Sequence, residues 1–179
     1  MRKRGKATKR GLLSVLATSL LAGCLGMPEG VEPVSGFELE RYAGKWYEVA
    51  RLDHSFERGM EQVSAEYSVD KDGTVAVVNK GYRPDTNKWK QATGKAKFVG
   101  EADVGYLKVS FFGPFYGSYV VFDLDKQNYN YAFVSGPDVS FLWLMSRTKT
   151  AEPQVMDSFL QQAKAAGFNT DELIRVKHD

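Results

Sequence analysis

Gly44-Lys45-Trp46-Tyr47-Glu48 decides the reading of this chain. It opens 45–52 (KWYEVARL), a run of aromatic and apolar residues that predicts a strand. Leu39-Glu40-Arg41-Tyr42, just before it, suits a short helical turn. Seven further strands are expected at 62–69 (QVSAEYSV), 73–81 (GTVAVVNKG), 88–98 (KWKQATGKAKF), 105–112 (GYLKVSFF), 117–124 (GSYVVFDL), 129–135 (YNYAFVS) and 141–147 (FLWLMSR). Asp72-Gly73, Pro84-Asp85 and Gly136-Pro137 punctuate them, and the spacing of about ten residues implies an antiparallel sandwich or barrel. The rhythm breaks once. Between Ala151 and Ala166 the residues Val155, Met156, Phe159, Leu160 and Ala163 recur every three or four positions, one apolar stripe of a helix. Thr150 is the expected N-cap, Pro153 fits only the first turn, Gly167 stops the helix, and a short strand is expected at 173–176.

The N-terminus has a different character. Arg2, Lys3, Arg4, Lys6, Lys9 and Arg10 precede the uncharged GLLSVLATSLLAG of 11–23, a charged region followed by an apolar one. Thirteen residues are too few for a lasting transmembrane helix, which needs about 20. Leu21-Ala22-Gly23-Cys24 resembles the bacterial lipobox, in which small residues admit the scissile backbone to a processing peptidase. That resemblance implies removal of 1–23 and a diacylglyceryl thioether plus an N-acyl group on Cys24, and two or more chains anchor stably where one does not. Leu25 in place of aspartate favours the outer membrane. Residues 24–36, rich in Gly and Pro, read as a lipidated tether, and 37–179 as one domain.

Charge follows from the same cut. The chain has 24 basic and 22 acidic residues, but six basic ones fall in the leader, leaving 18 against 22 and a formal charge of −4. A nucleic-acid partner is therefore not expected. The single cysteine is taken by lipid, so no intramolecular disulfide holds the domain. His54 and His178 are far apart and no His/Cys cluster exists, so neither a metal nor another cofactor is expected.

The GKWYE segment, Asn128-Tyr129 before the seventh strand and Ser146-Arg147 at the end of the eighth together resemble the lipocalin family. The likeness sharpens in Arg51-Leu52-Asp53-His54-Ser55-Phe56-Glu57-Arg58-Gly59, in Asn79-Lys80-Gly81-Tyr82 and in Phe111-Phe112-Gly113-Pro114-Phe115-Tyr116-Gly117, which look like the bacterial outer-membrane lipocalins. It covers Phe37 to Val176. The resemblance implies an all-β fold: an eight-stranded antiparallel up-and-down barrel with one C-terminal α-helix packed outside. Gly44, Trp46, Tyr129 and Arg147 would close its floor, with the Arg147 guanidinium across the Trp46 indole. Asn128 stands where many relatives have aspartate, so the sequence offers no carboxylate there for Arg147.

Strand alternation aligned with the lipocalin pattern puts Ala65, Tyr67, Val77, Asn79, Val109, Phe111, Tyr119, Phe141 and Trp143 inward as candidate ligand-binding residues. Val75, Leu107, Val121 and Met145 share their faces; the seventh strand is apolar on both. Arg51, His54, Glu57 and Arg58 are expected at the mouth, to meet a carboxylate or phosphate head group or else to stand as solvated loop charges. Such an interior is either a filled core or a cavity for one ligand. The resemblance implies the latter: a long-chain fatty acid or lysophospholipid stored or carried for envelope maintenance, including under stress. Two alternatives remain. One is an enzyme on a small apolar or lipid substrate, for which Glu48 is the nearest titratable group; no other catalytic residue suggests itself, as no inward cysteine or Ser–His pair is present. The other is a structural lipoprotein with a filled barrel that forms a homodimer through an outer face.

Overall fold

The computed structural model describes residues 25–178. The leader and the proposed acylation residue Cys24 lie outside the described residues. A four-residue helix α1 (Leu39–Tyr42) leads into strands β1 (Gly44–Arg51), β2 (Glu61–Val69), β3 (Val75–Arg83), β4 (Lys88–Phe98), β5 (Tyr106–Phe112), β6 (Phe115–Leu124), β7 (Tyr131–Ser135) and β8 (Leu142–Ser146), then helix α2 (Pro153–Ala165), a 3₁₀ turn (Thr170–Glu172) and strand β9 (Ile174–Arg175). From β2 to β8 each strand pairs antiparallel with the next. β1 then joins β8 on one flank and β2 on the other, closing the barrel. β1 pairs with β2 only over Gly44–Tyr47; beyond that, β9 takes over opposite Ala50 and Arg51.

Two apolar clusters lie on opposite sides of this wall. Phe37, Trp46, Tyr67, Val77, Leu107 and Met145 pack inside, whereas Val120, Phe133, Leu144, Met156, Phe159 and Ala163 fill the seam between the wall and α2. The parity of β7 is thereby decided: Ala132 and Val134 point in, and Phe133 points out to meet Phe159 edge-on at 5.0 Å. The expected Thr150 cap is replaced, since α2 starts later, with Glu152 at the N-cap position, no side-chain cap, and Pro153 at the start. A proline that needs no amide partner makes a side-chain cap less necessary there.

The floor is built around Arg147. Its guanidinium stacks 3.9 Å from the Trp46 ring centroid and donates to the carbonyls of Lys45 (2.9 Å), Tyr129 (3.2 Å), Arg41 (2.7 Å), Tyr42 (3.2 Å) and Ala43 (3.1 Å). Carbonyl oxygens, not a carboxylate from position 128, receive its protons. Asp125 supplies the carboxylate of that loop and accepts from the amides of Gln127, Asn128 and Asn130. Gly44 has φ +92°, and a side chain there would be strained beside the Arg147 guanidinium. Residues 25–36, read as a tether, are instead packed on the barrel: the Val34 amide donates to the Val121 carbonyl, Gly105 donates to the Val34 carbonyl, and Val31 is buried under α2. Gly and Pro here shape a docked strap, because its apolar residues find the same seam as the helix.

Arg147→Ala is expected to lower the unfolding free energy by about 2–3 kcal/mol, seen as a lower urea midpoint with an unchanged slope, because a stacked guanidinium and its charge-assisted bonds are lost. Arg147→Lys restores only part, since an ammonium cannot form the planar fork.

Candidate functional site

With the floor plugged, the other end of the barrel is open. There the loops 52–60, 84–87, 113–114 and 136–141 meet. A cavity of about 420 Å³ descends from that end. All nine side chains expected to face inward, Ala65, Tyr67, Val77, Asn79, Val109, Phe111, Tyr119, Phe141 and Trp143, lie on its wall, joined by Met145, Val63, Phe56, Phe115 and Tyr116. Phe111 keeps its place because Gly94 on the neighbouring strand has no side chain; a Cβ there would come within 2.8 Å of the Phe111 ring. At the deep end the Tyr42 and Tyr119 hydroxyls are 2.6 Å apart and Tyr67 donates to Tyr119 at 2.8 Å. Burial pushes all three phenols above their ordinary range, so they stay neutral. Asn79 presents a buried Oδ1 with no partner. It is the free acceptor of the inner wall.

The mouth differs from the expectation. Of Arg51, His54, Glu57 and Arg58, only Glu57 lines the cavity. Arg51 is 1% exposed and buried beneath the 52–60 loop, donating to Glu48 Oε1 at 2.8 Å and to the carbonyls of Glu57 (3.0 Å) and Met60 (3.2 Å). The cause is a bulge in β1 between Glu48 and Ala50. It sends both Val49 and Ala50 to the outer cluster and returns Arg51 to the inside, which strict alternation does not allow. His54 is buried too, stacked 4.0 Å from Phe56, with Nε2 3.2 Å from Glu57 Oε2. Arg58 is exposed and paired to Asp53 at 2.7 Å. None of these three is poised for a ligand head group.

Three acids line the cavity: exposed Asp138, Glu57, which the sequence reading placed at the mouth, and Glu48, which it left off the inward list; the last two are buried. Burial first, and then the Glu57 charge, raise the Glu48 carboxyl well above the usual carboxylate range, and Arg51 only partly offsets them. Burial opposes ionisation of Glu57 as well, but His54, the Glu48 hydroxyl and the Trp143 indole, whose Nε1 donates at 3.3 Å, hold it below its ordinary value. A proton on this pair therefore favours Glu48, and the Arg51 guanidinium stands opposite the charge left on Glu57.

A family model described as Lipocalin-like domain matches residues 37–178. The chain belongs to the lipocalin family. It is 60% identical over 168 residues to the outer membrane lipoprotein Blc of Vibrio cholerae serotype O1, covering 94% of this chain and 98% of the relative. It is also 49% identical over 150 residues, 84% of each chain, to the protein of the same name from Escherichia coli K12. Among solved structures, insecticyanin from the tobacco hornworm Manduca sexta aligns with a TM-score of 0.69 at 22% identity, over 86% of this chain and 87% of that one. This last likeness concerns the fold: a closed eight-stranded antiparallel barrel with one C-terminal helix. The lipocalin described here is a lipid-anchored protein of the bacterial outer membrane.

The buried pair fixes a pH response. Glu48, raised in the fold, contributes stability at pH below its ordinary value of 4.5, lost as pH rises through its folded value. Glu57, lowered, contributes stability at higher pH, lost as pH falls through its folded value. Glu48→Gln keeps a donor toward Glu57 and an acceptor for Arg51 while removing the raised titration. The melting temperature of the parent is expected to fall as pH rises above about 4.5, and that of the variant to fall less. Parallel melting curves check it.

Proposed function

We propose that this lipocalin is a binding protein, not an enzyme, that holds one long-chain fatty acid or lysophospholipid with the acyl tail in the barrel. Acylated at Cys24 after loss of 1–23, it stores or carries that lipid at the outer membrane for envelope maintenance, including under stress. The observation that carries this reading is the open, largely apolar cavity of about 420 Å³, within the roughly 300–1,000 Å³ of small-molecule sites. Burying a 16-carbon tail contributes about 13 kcal/mol at about 0.8 kcal/mol per methylene, against about 4–15 kcal/mol for association and ordering.

Polarity orients the tail. No Lys, Arg or His is found on the wall among the described residues, and its polar side chains are phenols, the Ser64 and Ser118 hydroxyls, the Asn79 amide and the Glu48–Glu57 pair, with Asp138 exposed at the opening. An anionic head finds no cation on that wall and would lose its hydration inside, so it stays at the open end in water. The same pair argues against acid–base chemistry on the ligand: Glu48 is tied to Arg51, and Glu57 to Trp143 and His54, which leaves them a packing duty. A filled barrel is disfavoured by the cavity itself, and a homodimer would have to use surface outside the lumen.

Titration of the protein with a fluorescent 16-carbon fatty acid is expected to saturate at about one per barrel, and an eight-carbon competitor to displace it at least a hundredfold less well, because about 6 kcal/mol of tail burial is missing. Val109→Phe, which extends a wall residue into the lumen, is expected to weaken the 16-carbon probe by tenfold or more. No saturable binding by either assay would overturn the reading.

A further inference from the structure

The open end of the barrel carries more than a cavity. Eight large apolar side chains are exposed among the described residues, and six of them, Leu25, Phe56, Trp89, Phe112, Phe115 and Val139, stand at or beside the loops of that end. Phe112 and Phe115 form the tip of the β5–β6 hairpin, 81% and 69% exposed, with only Gly113 and Pro114 between them. Folding alone does not account for aromatics held this far into water, and clustering on one rim marks a surface meant to be covered.

The N-terminal strap ends at the same place. It climbs the outside of the barrel from Val34, near the closed end, to Gly26, whose amide donates to Ser118 Oγ at 2.9 Å and which lies beside the Pro137 carbonyl. Ser118 and Pro137 both line the cavity. Leu25, one residue further and 43% exposed, is therefore at the rim, and the residue bonded to it is the one proposed to carry acyl chains. Beside Trp89 stand Lys88 and Lys90, both exposed and in no ion pair among the described residues, while Lys80 lies 4.5 Å from the Trp89 ring. Aromatics flanked by lysines suit the boundary where acyl chains give way to phosphates, with rings in the interface and ammonium groups reaching the head groups.

We propose that the open rim is a membrane-docking surface: Phe56, Phe112, Phe115 and Trp89 enter the head-group region of a phospholipid leaflet, Lys88 and Lys90 meet its phosphates, and the anchor beside the rim holds the cavity mouth down against the bilayer. The lumen then opens directly into the leaflet, and an acyl tail passes between the two without crossing water. The docking is separate from the ligand reading, since it requires only the rim and the anchor.

The test uses the acylated protein, extracted from membranes and reconstituted into phosphatidylethanolamine–phosphatidylglycerol vesicles with or without brominated acyl chains, which quench nearby tryptophans. Trp46 is buried in the floor and Trp143 lines the cavity, so comparison with Trp89→Phe isolates the rim signal. Trp89 is expected to lose at least half of its emission in brominated vesicles. The Phe112→Asp/Phe115→Asp double variant, both positions being exposed, keeps its circular dichroism and melting temperature but recovers most of that emission. Equal Trp89 emission in the two kinds of vesicle overturns the proposal, whether the rim faces away or, as sedimentation would reveal, a second copy covers it. A protein that is quenched at Trp89 yet binds no fatty acid retains the docking surface and loses only the ligand reading.

Discussion

Strand β1 hydrogen-bonds along both flanks, to β8 on one side and to β2 and then β9 on the other, and every other property of the molecule depends on that closure. A sheet with no free edge has an inside that water reaches only from the ends. Arg147 removes one of those ends by binding the carbonyls of the α1 turn while lying on Trp46. What remains is a cup with a single entrance. The direction of any ligand, the position of the apolar rim and the relation of both to the anchor follow from which end is plugged.

The same closure explains why a cluster of four ionisable side chains is found in the upper wall. The bulge in β1 turns Arg51 inward, and a buried guanidinium needs acceptors. Glu48 and the carbonyls of the 52–60 loop supply them, and that loop in turn brings Glu57 and His54 over the wall beneath Phe56. A proton that favours Glu48 leaves the Glu57 charge opposite the Arg51 guanidinium. The result is a buried lintel near the cavity mouth where the sequence suggested head-group contacts or solvated loop charges.

Rim and interior obey different rules. Inside, apolar residues are covered by one another or by a ligand; on the rim Phe112 and Phe115 are covered by nothing in the chain. Helix α2 and the 25–36 strap both occupy the β6–β8 side of the wall, so the exposed aromatics are left at the opening. A lipid-binding cup placed at a leaflet has a use for such a lip: a tail that moves from bilayer to lumen keeps apolar contact throughout.

The sequence by itself determined the strands, the late amphipathic helix and which side chains of β2, β3, β5, β6 and β8 share a face, because period-two alternation is a local property of the chain, and the lipocalin resemblance said which face is inward. It also carried the floor, through the lipocalin resemblance of the segments that hold Gly44, Trp46, Tyr129 and Arg147. Tertiary structure alone decided the inward parity of β7, where both faces are apolar and only the docking of Phe159 picks one. It alone turned Arg51, His54 and Glu57 from apparent mouth charges into buried partners, since a bulge leaves no mark in composition. And it alone laid 25–36 along the barrel and brought Leu25 to the rim, because a Gly- and Pro-rich segment has no pattern of its own and takes its path from the surface it meets.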